Sequence, residues 1–321
     1  MFSKKLLIPL LSLSLLVTPA YSSHAAENTE AAGTSVEGQG MLSPSSSSES
    51  SESVFNGSGA GTSSEPVTDE KLETILKQVQ SQLPTENGTW AVFISDLING
   101  TEGSLNDQKM QAASLIKLYI MGAVYENYDQ ITGQYGRDSV DSNLYSMITV
   151  SDNDAANTLT TYLGGGDSAA GMQAVNSFCQ AHGYDQTHMG RMLLASNEND
   201  DNYTSVGDCG HLLQEIYKQD TSGYTHATDM FNLLKAQTRC NKIPAQLPEG
   251  VKTANKTGEL DNVENDAGII YDSKNDVVIV FMSQNLSSAG SAQNTIATLS
   301  RTIYDYYNHD HRLSRWFALT L

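Results

Sequence analysis

The chain is predicted to be an α/β protein, an antiparallel sheet flanked by helices plus an all-helical lobe, with a cleft between the two parts. Three observations lead there. Strand patterns stand at both ends of residues 67–321, with helical patterns inserted between them. One of those helical patterns is apolar almost throughout, as only a buried helix is. Near the start of that buried helix lie a serine and a lysine three residues apart, Ser114 and Lys117, which a helix places on one face.

The elements follow in order. Lys4 and Lys5, an apolar run over 6–17 and the small-x-small string Ser23-His24-Ala25 make residues 1–26 an export signal, with a run too short to favour a spanning helix. The chain is therefore expected to be secreted, or tethered to the membrane if the signal stays uncleaved. Residues 27–66 are rich in Ser, Gly and Glu, with six Glu and no Lys or Arg. Such a segment buries too little apolar surface to offset its ordering entropy, so it is expected to be a disordered linker. Residues 67–321 then form one domain.

That domain opens with a helix capped by Thr68, its stripe made by Leu72, Ile75, Leu76, Val79 and Leu83 and its end set by Pro84. Residues 90–97 read as a strand, and Asn99-Gly100 as the turn into a second strand reaching Leu105. The buried helix spans 112–124. A further helical stretch covers 145–163, broken at Ser151-Asp152-Asn153 and stopped by Gly164-Gly165-Gly166. That triplet is no phosphate loop, because no strand precedes it and no Lys-Ser or Lys-Thr follows. Helices over 169–182 and 206–217 enclose a long polar loop, 190–205, of a length that usually has a function. Lys256-Thr257-Gly258 is expected on a strand, followed by strands over 266–271 and 277–283 with a turn between, and by a closing helix over about 292–307.

Composition narrows the function. The domain holds 31 acidic and 16 basic residues, so neither nucleic acid nor anionic lipid is expected as a partner; both need clustered Lys and Arg. Cys179, Cys209 and Cys240 are an odd number for an oxidising compartment, and predict one disulfide and one buried thiol, with all three pairings open. None has metal-ligand spacing. His309-Asp310-His311 is read as an exposed helix end, so no metal and no cofactor are expected. The chain is expected to be a monomer.

The chemistry lies in three strings in fixed order: Ser114-Leu115-Ile116-Lys117, Ser151-Asp152-Asn153 and Lys256-Thr257-Gly258. A lysine carried into an apolar interior loses affinity for its proton, and a neutral amine one turn from a serine can take the hydroxyl proton. Amides at the helix start can stabilise negative charge beside Ser114.

In these strings, and in Ala112-Ala113-Ser114, Asp154-Ala155-Ala156-Asn157 and Asn265-Asp266-Ala267-Gly268 around them, the whole of 67–321 resembles the class A β-lactamases of the penicillin-recognising serine enzymes. The resemblance implies the β-lactamase/transpeptidase fold, with Ser114 as nucleophile and Lys117 as its base or proton relay. Ser151 would pass a proton to the leaving nitrogen, and Asn153 would hold the acyl amide. Lys256 and Thr257 would meet the substrate's carboxylate, and the amides of Ser114 and Glu259 would form the oxyanion hole. Gly258, Glu259 and Asn197 would line the substrate site.

Two departures stand out. The stretch between the first two motifs is shorter than the family's. In the loop, Arg191 and Asn197 keep the family's frame, but Leu193 stands where the glutamate that activates the deacylating water is expected. Glu198 is either its substitute or one more acid of a polar run. Glu259 is either a specificity element or a solvent-exposed acid. The function expected is a serine hydrolase forming an acyl-enzyme with β-lactams or D-Ala-D-Ala-like amides, slow to deacylate. A peptidoglycan D,D-carboxypeptidase is the close rival, favoured by Leu193. A catalytically weak module that binds cell-wall peptide is the rival of another class.

Overall fold

The structure is a computed structural model and describes residues 69–308. The export signal, the 27–66 linker, Thr68 and the His309-Asp310-His311 cluster lie outside the described residues. Helix α1 (Glu70–Gln82) is capped one residue later than expected, by Asp69, whose carboxylate accepts from the amides of Lys71 and Leu72.

The sheet has five strands in the order β2-β1-β7-β6-β5, every pairing antiparallel. β1 (Thr89–Asp96) and β2 (Thr101–Leu105) form the first hairpin. β5 (Lys252–Leu260), β6 (Val263–Tyr271) and β7 (Val277–Gln284) come from the other end of the chain, and β7 docks on β1. The α/β class and the antiparallel sheet are as expected.

Side-chain alternation in β7 explains why the sheet is covered on both faces. Val277, Ile279 and Phe281 point to one face, where α1 and the closing helix α9 (Ala289–Asn308) lie, while Val278, Val280 and Met282 point to the helical lobe. At the centre of that lobe is α2 (Ile116–Glu126), preceded by a 3-10 turn at Ala113–Leu115. Every residue from Ile116 to Tyr125 is buried, Lys117 included. Gly122 permits this packing: a Cβ there would fall 2.4 Å from the Phe178 ring of α6 (Ser168–Ala181).

Around α2 pack α3 (Tyr128–Tyr135), α4 (Arg137–Thr149), α5 (Asn153–Leu163) and α6, followed by α7 (Val206–Tyr217) and α8 (Ala227–Lys235). A two-stranded ribbon joins β3 (Met110–Gln111) to β4 (Tyr203–Thr204). It ties the end of the 190–205 loop to the segment entering the 3-10 turn, and the amide of Ala112 donates to the carbonyl of Asn202 at 2.9 Å. No helix among the described residues is long and apolar enough to cross a membrane.

The expected disulfide is corrected. All three cysteines are free: Cys179 and Cys209 are buried on α6 and α7, and Cys240 is exposed in the segment before β5. Burial pushes the Cys209 thiol up to about 12 and the Cys179 thiol upward as well, which keeps both protonated and unreactive. Two apolar clusters, one on each face of the sheet, supply the core that a small disulfide-stapled domain lacks.

Candidate active site

The three strings converge at the cleft between lobe and sheet. Lys117 Nζ lies 3.1 Å from Ser114 Oγ, 3.2 Å from Ser151 Oγ, and 2.7 Å from both the Ser151 carbonyl and Asn153 Oδ1. Burial, aided by the nearby Arg239 charge and opposed by Asp152, lowers the Lys117 ammonium to about 7. The geometry suits the neutral amine. Its two N–H groups donate to the two carbonyl-type oxygens, which can only accept, and its lone pair is left for a serine hydroxyl.

Lys256 comes from β5. It is fully buried, and its Nζ donates to the Thr257 carbonyl at 2.7 Å and to Ser151 Oγ at 2.9 Å. Burial, with Lys117 and Arg239 nearby, holds its ammonium well below the usual lysine range. Ser151 Oγ therefore stands between two amines, an arrangement able to relay a proton away from Ser114. The cation that lines the small pocket with Ser114, Ser151, Asn153, Thr257 and Glu259 is Arg239, which motif reading does not reach.

Backbone placement is equally specific. Ala113, just before the nucleophile, has φ 48°, and Ser151 has φ 63°. Left-handed geometry at residues with a Cβ is strained and persists only where the surroundings enforce it. Here the surroundings are visible: Asn265 on β6 donates to the carbonyls of Gln111 and Ala112 at 2.9 and 3.2 Å. The edge strand β5 presses from the other side. A Cβ on Gly258 would fall 2.9 Å from the Ala112 carbonyl and 3.2 Å from the Ser114 amide, so glycine lets that strand lie beside the nucleophile's backbone.

Glu259 is ion-paired and not merely solvated. Its carboxylate meets Arg239 Nη1 at 3.0 Å and the buried Lys242 Nζ at 3.1 Å, and Lys242 also reaches Glu264 at 2.6 Å. Partial burial alone would raise the Glu259 carboxyl, but Lys242 and Arg239 hold it below the usual carboxylate range.

The loop opposite is built around Asp201 and Asn157. Asp201 accepts from Arg191 Nε at 2.7 Å and Gln111 Nε2 at 2.9 Å. Asn157 on α5 clamps the Leu193 backbone from both sides, accepting from its amide at 2.8 Å and donating to its carbonyl at 3.0 Å. Leu193 and Asn197 line the larger pocket together with Ser114. The Leu193 side chain is buried, with 8% of the residue exposed, and Leu194 beside it has φ 67° and is 75% exposed. Glu198 is exposed and is not part of the pocket's lining.

A family description, the beta-lactamase enzyme family Beta-lactamase2, matches residues 71–137 and 135–307. No curated protein matches the chain. Among solved structures, a β-lactamase from Sphaerobacter thermophilus DSM 20745 is similar at 22% identity over 73% of this chain and 96% of its own, with TM-score 0.62. PBP-A is similar at 22% identity over 73% and 96%, with TM-score 0.64, and a leucine-to-glutamate variant of PBP-A is described as an acyl-enzyme complex with penicillin G. A β-lactamase from Chitinophaga pinensis DSM 2588 is similar at 19% identity over 73% and 100%, with TM-score 0.63. The five-stranded antiparallel sheet, the helical lobe and the family match agree: the chain belongs to the beta-lactamase enzyme family, as a β-lactamase-like serine hydrolase.

Proposed function

We propose that the protein forms an acyl-enzyme at Ser114 with β-lactams or D-Ala-D-Ala-like amides and releases the acyl group slowly. The observation that carries this reading is the Lys117 amine, 3.1 Å from Ser114 Oγ and poised to lose its proton near neutrality. In the reaction, Ser114 Oγ attacks the amide carbonyl as its proton passes to Lys117. The oxyanion develops where β5 lies against the Ser114 amide, and the tetrahedral intermediate collapses as Ser151 protonates the leaving nitrogen, with Lys117 and Lys256 on either side of that hydroxyl. The carboxylate of the leaving half is met by Arg239 in the small pocket.

Slow deacylation rests on Leu193. The loop presents an apolar side chain where a water-activating carboxylate would be needed, and the Asn157 clamp holds its backbone in place. This favours a peptidoglycan carboxypeptidase-like role over efficient antibiotic hydrolysis. Export through the 1–26 signal, with the 27–66 linker as a spacer, would place the domain where such peptides occur.

Intact mass spectrometry of the full chain mixed with benzylpenicillin tests the proposal. A stoichiometric adduct on Ser114 that decays over minutes or longer is expected. Absence of any adduct would favour a binding module, and clearance within the mixing time would remove the slow-deacylation claim.

A further inference from the structure

A second cavity, about 420 Å³, opens on the helical lobe and shares no residue with the two pockets at Ser114. Its walls are residues 182–184 after α6, one face of α7 and the segment before α8 at Tyr224. On α7 the lining residues are His211, Gln214 and Glu215, whose spacing of three and four puts them on one side of the helix. The volume is that of a small-ligand site.

Two of the three walls carry rings that are held in place. The centroid of the His182 ring lies 4.7 Å from that of Tyr224 and 4.5 Å from that of Phe178. Tyr224 and the buried Tyr184 join their hydroxyls in a hydrogen bond, and the Tyr184 ring packs in turn on Tyr119 of α2 at 5.4 Å. These faces are set before any ligand arrives, so little ordering entropy is lost on binding.

The charges of the lining are answered within the protein. His182 Nε2 lies 3.2 Å from Glu126, His211 Nε2 lies 3.0 Å from Glu102, and Glu215 is paired with Lys218. What is left over is hydrogen-bonding capacity: among the described residues, Nδ1 of both histidines and Oε1 of Gln214 have no partner. Fixed ring faces, planar polar groups and paired charges are the complement of an uncharged pyranose sugar. Its slightly positive C–H groups lie on the negative ring faces, and its hydroxyls donate to the free acceptors.

We infer that this cavity is a glycan subsite, which binds an N-acetylated amino sugar apart from the reaction centre. The acetamido group adds a methyl for the rings and an N–H for the free acceptors. The choice of an acetylated sugar, the kind that carries cell-wall peptides, rests on the peptidoglycan reading of the cleft and not on acylation itself.

The probe is N,N′-diacetylchitobiose, titrated into the full chain and followed by saturation-transfer NMR. Saturable binding is expected, with transfer to the C–H protons and acetyl methyl groups of the sugar. His182→Ala and Tyr224→Ala should each weaken it about tenfold, as truncation of an aromatic anchor does, while Ser114→Ala binds as the parent chain does. In the parent chain, movement of the His182 and His211 ring signals during the titration places the sugar without any substitution. Lack of saturable binding, or unmoved ring signals, would overturn the assignment. Binding abolished by prior acylation with benzylpenicillin would put the sugar in the cleft and overturn it as well. Sugar binding by a chain that forms no penicillin adduct would remove the acyl-enzyme reading and keep the subsite.

Discussion

The most demanding prediction concerns the pH dependence of acylation. Lys117 must be neutral to accept the Ser114 proton, and its position in the core brings its pKa to about 7. The neutral fraction is then about one-tenth at pH 6, one-half at pH 7 and nine-tenths at pH 8. The acylation rate constant should therefore rise about tenfold between pH 6 and 8 and level off, where an ordinary lysine would give about tenfold per pH unit with no plateau. Stopped-flow acylation by benzylpenicillin, whose carboxylate stays ionised throughout, reads this directly. Burial is the largest cause of the shift, and the Arg239 charge comes next. Arg239→Gln should thus move the midpoint to higher pH, whatever it does to the plateau height. A rate independent of pH between 6 and 8, or a midpoint indifferent to Arg239→Gln, would refute the role given to Lys117. The same shift has a stability counterpart. Because the folded pKa lies below the unfolded value of 10.5, the unfolded chain binds the extra proton between them, so the contribution of Lys117 to stability is complete above 10.5 and is lost as pH falls toward 7.

Ser114→Ala should fold with an unchanged melting temperature and show no adduct by mass spectrometry. Leu193→Glu should accelerate adduct clearance by about a hundred- to ten-thousand-fold, or roughly 3 to 5 kcal/mol of barrier, because it places a carboxylate on a backbone already clamped by Asn157; a time course no faster than the parent chain's would count against the loop assignment. Lys256→Ala should slow acylation by removing one of the two amines beside Ser151 Oγ, as read from adduct formation at saturating penicillin. Thiol titration of the purified chain in denaturant without reductant should give three thiols per molecule, and one or fewer would restore the disulfide.

Much of the site was legible because its residues fall in short contiguous strings. Helical spacing alone puts Lys117 beside Ser114, and the strand at Lys256-Thr257-Gly258 needs only its alternation. The remaining residues take their roles from tertiary neighbours far off in the chain. Asn157 meets Leu193 across 36 positions, and Arg239 meets Glu259 across 20. Nothing local marks Arg239 as a site residue, or Lys242 as a buried ion-pair partner. Among the elements, α3 shows no usable stripe, burying only Tyr128 and Ile131, and the first half of α4 is polar; both are helical because they pack around α2. In α8 the signal was present at Ala227, Met230, Phe231 and Leu234, but the helix is short and starts at His226 without a capping side chain. The disulfide expectation came from compartment and cysteine count, whereas pairing is decided by where the helices put each thiol.

The left-handed backbone at Ala113 and Ser151 bears on how this protein would respond to selection for heat resistance. Each such residue carries roughly 1 to 2 kcal/mol of unfavourable conformational energy that glycine would relieve. A laboratory screen for thermal survival should therefore enrich Ala113→Gly, raising the melting temperature while loosening the turn that aims Ser114. Ser151→Gly would give the same relief at the expense of the hydroxyl between the two amines. Durability and turnover are thus opposed at the residues that shape the reaction centre, and variants improved in both should carry their stabilising changes elsewhere, in the apolar cluster on the α1 and α9 face of the sheet.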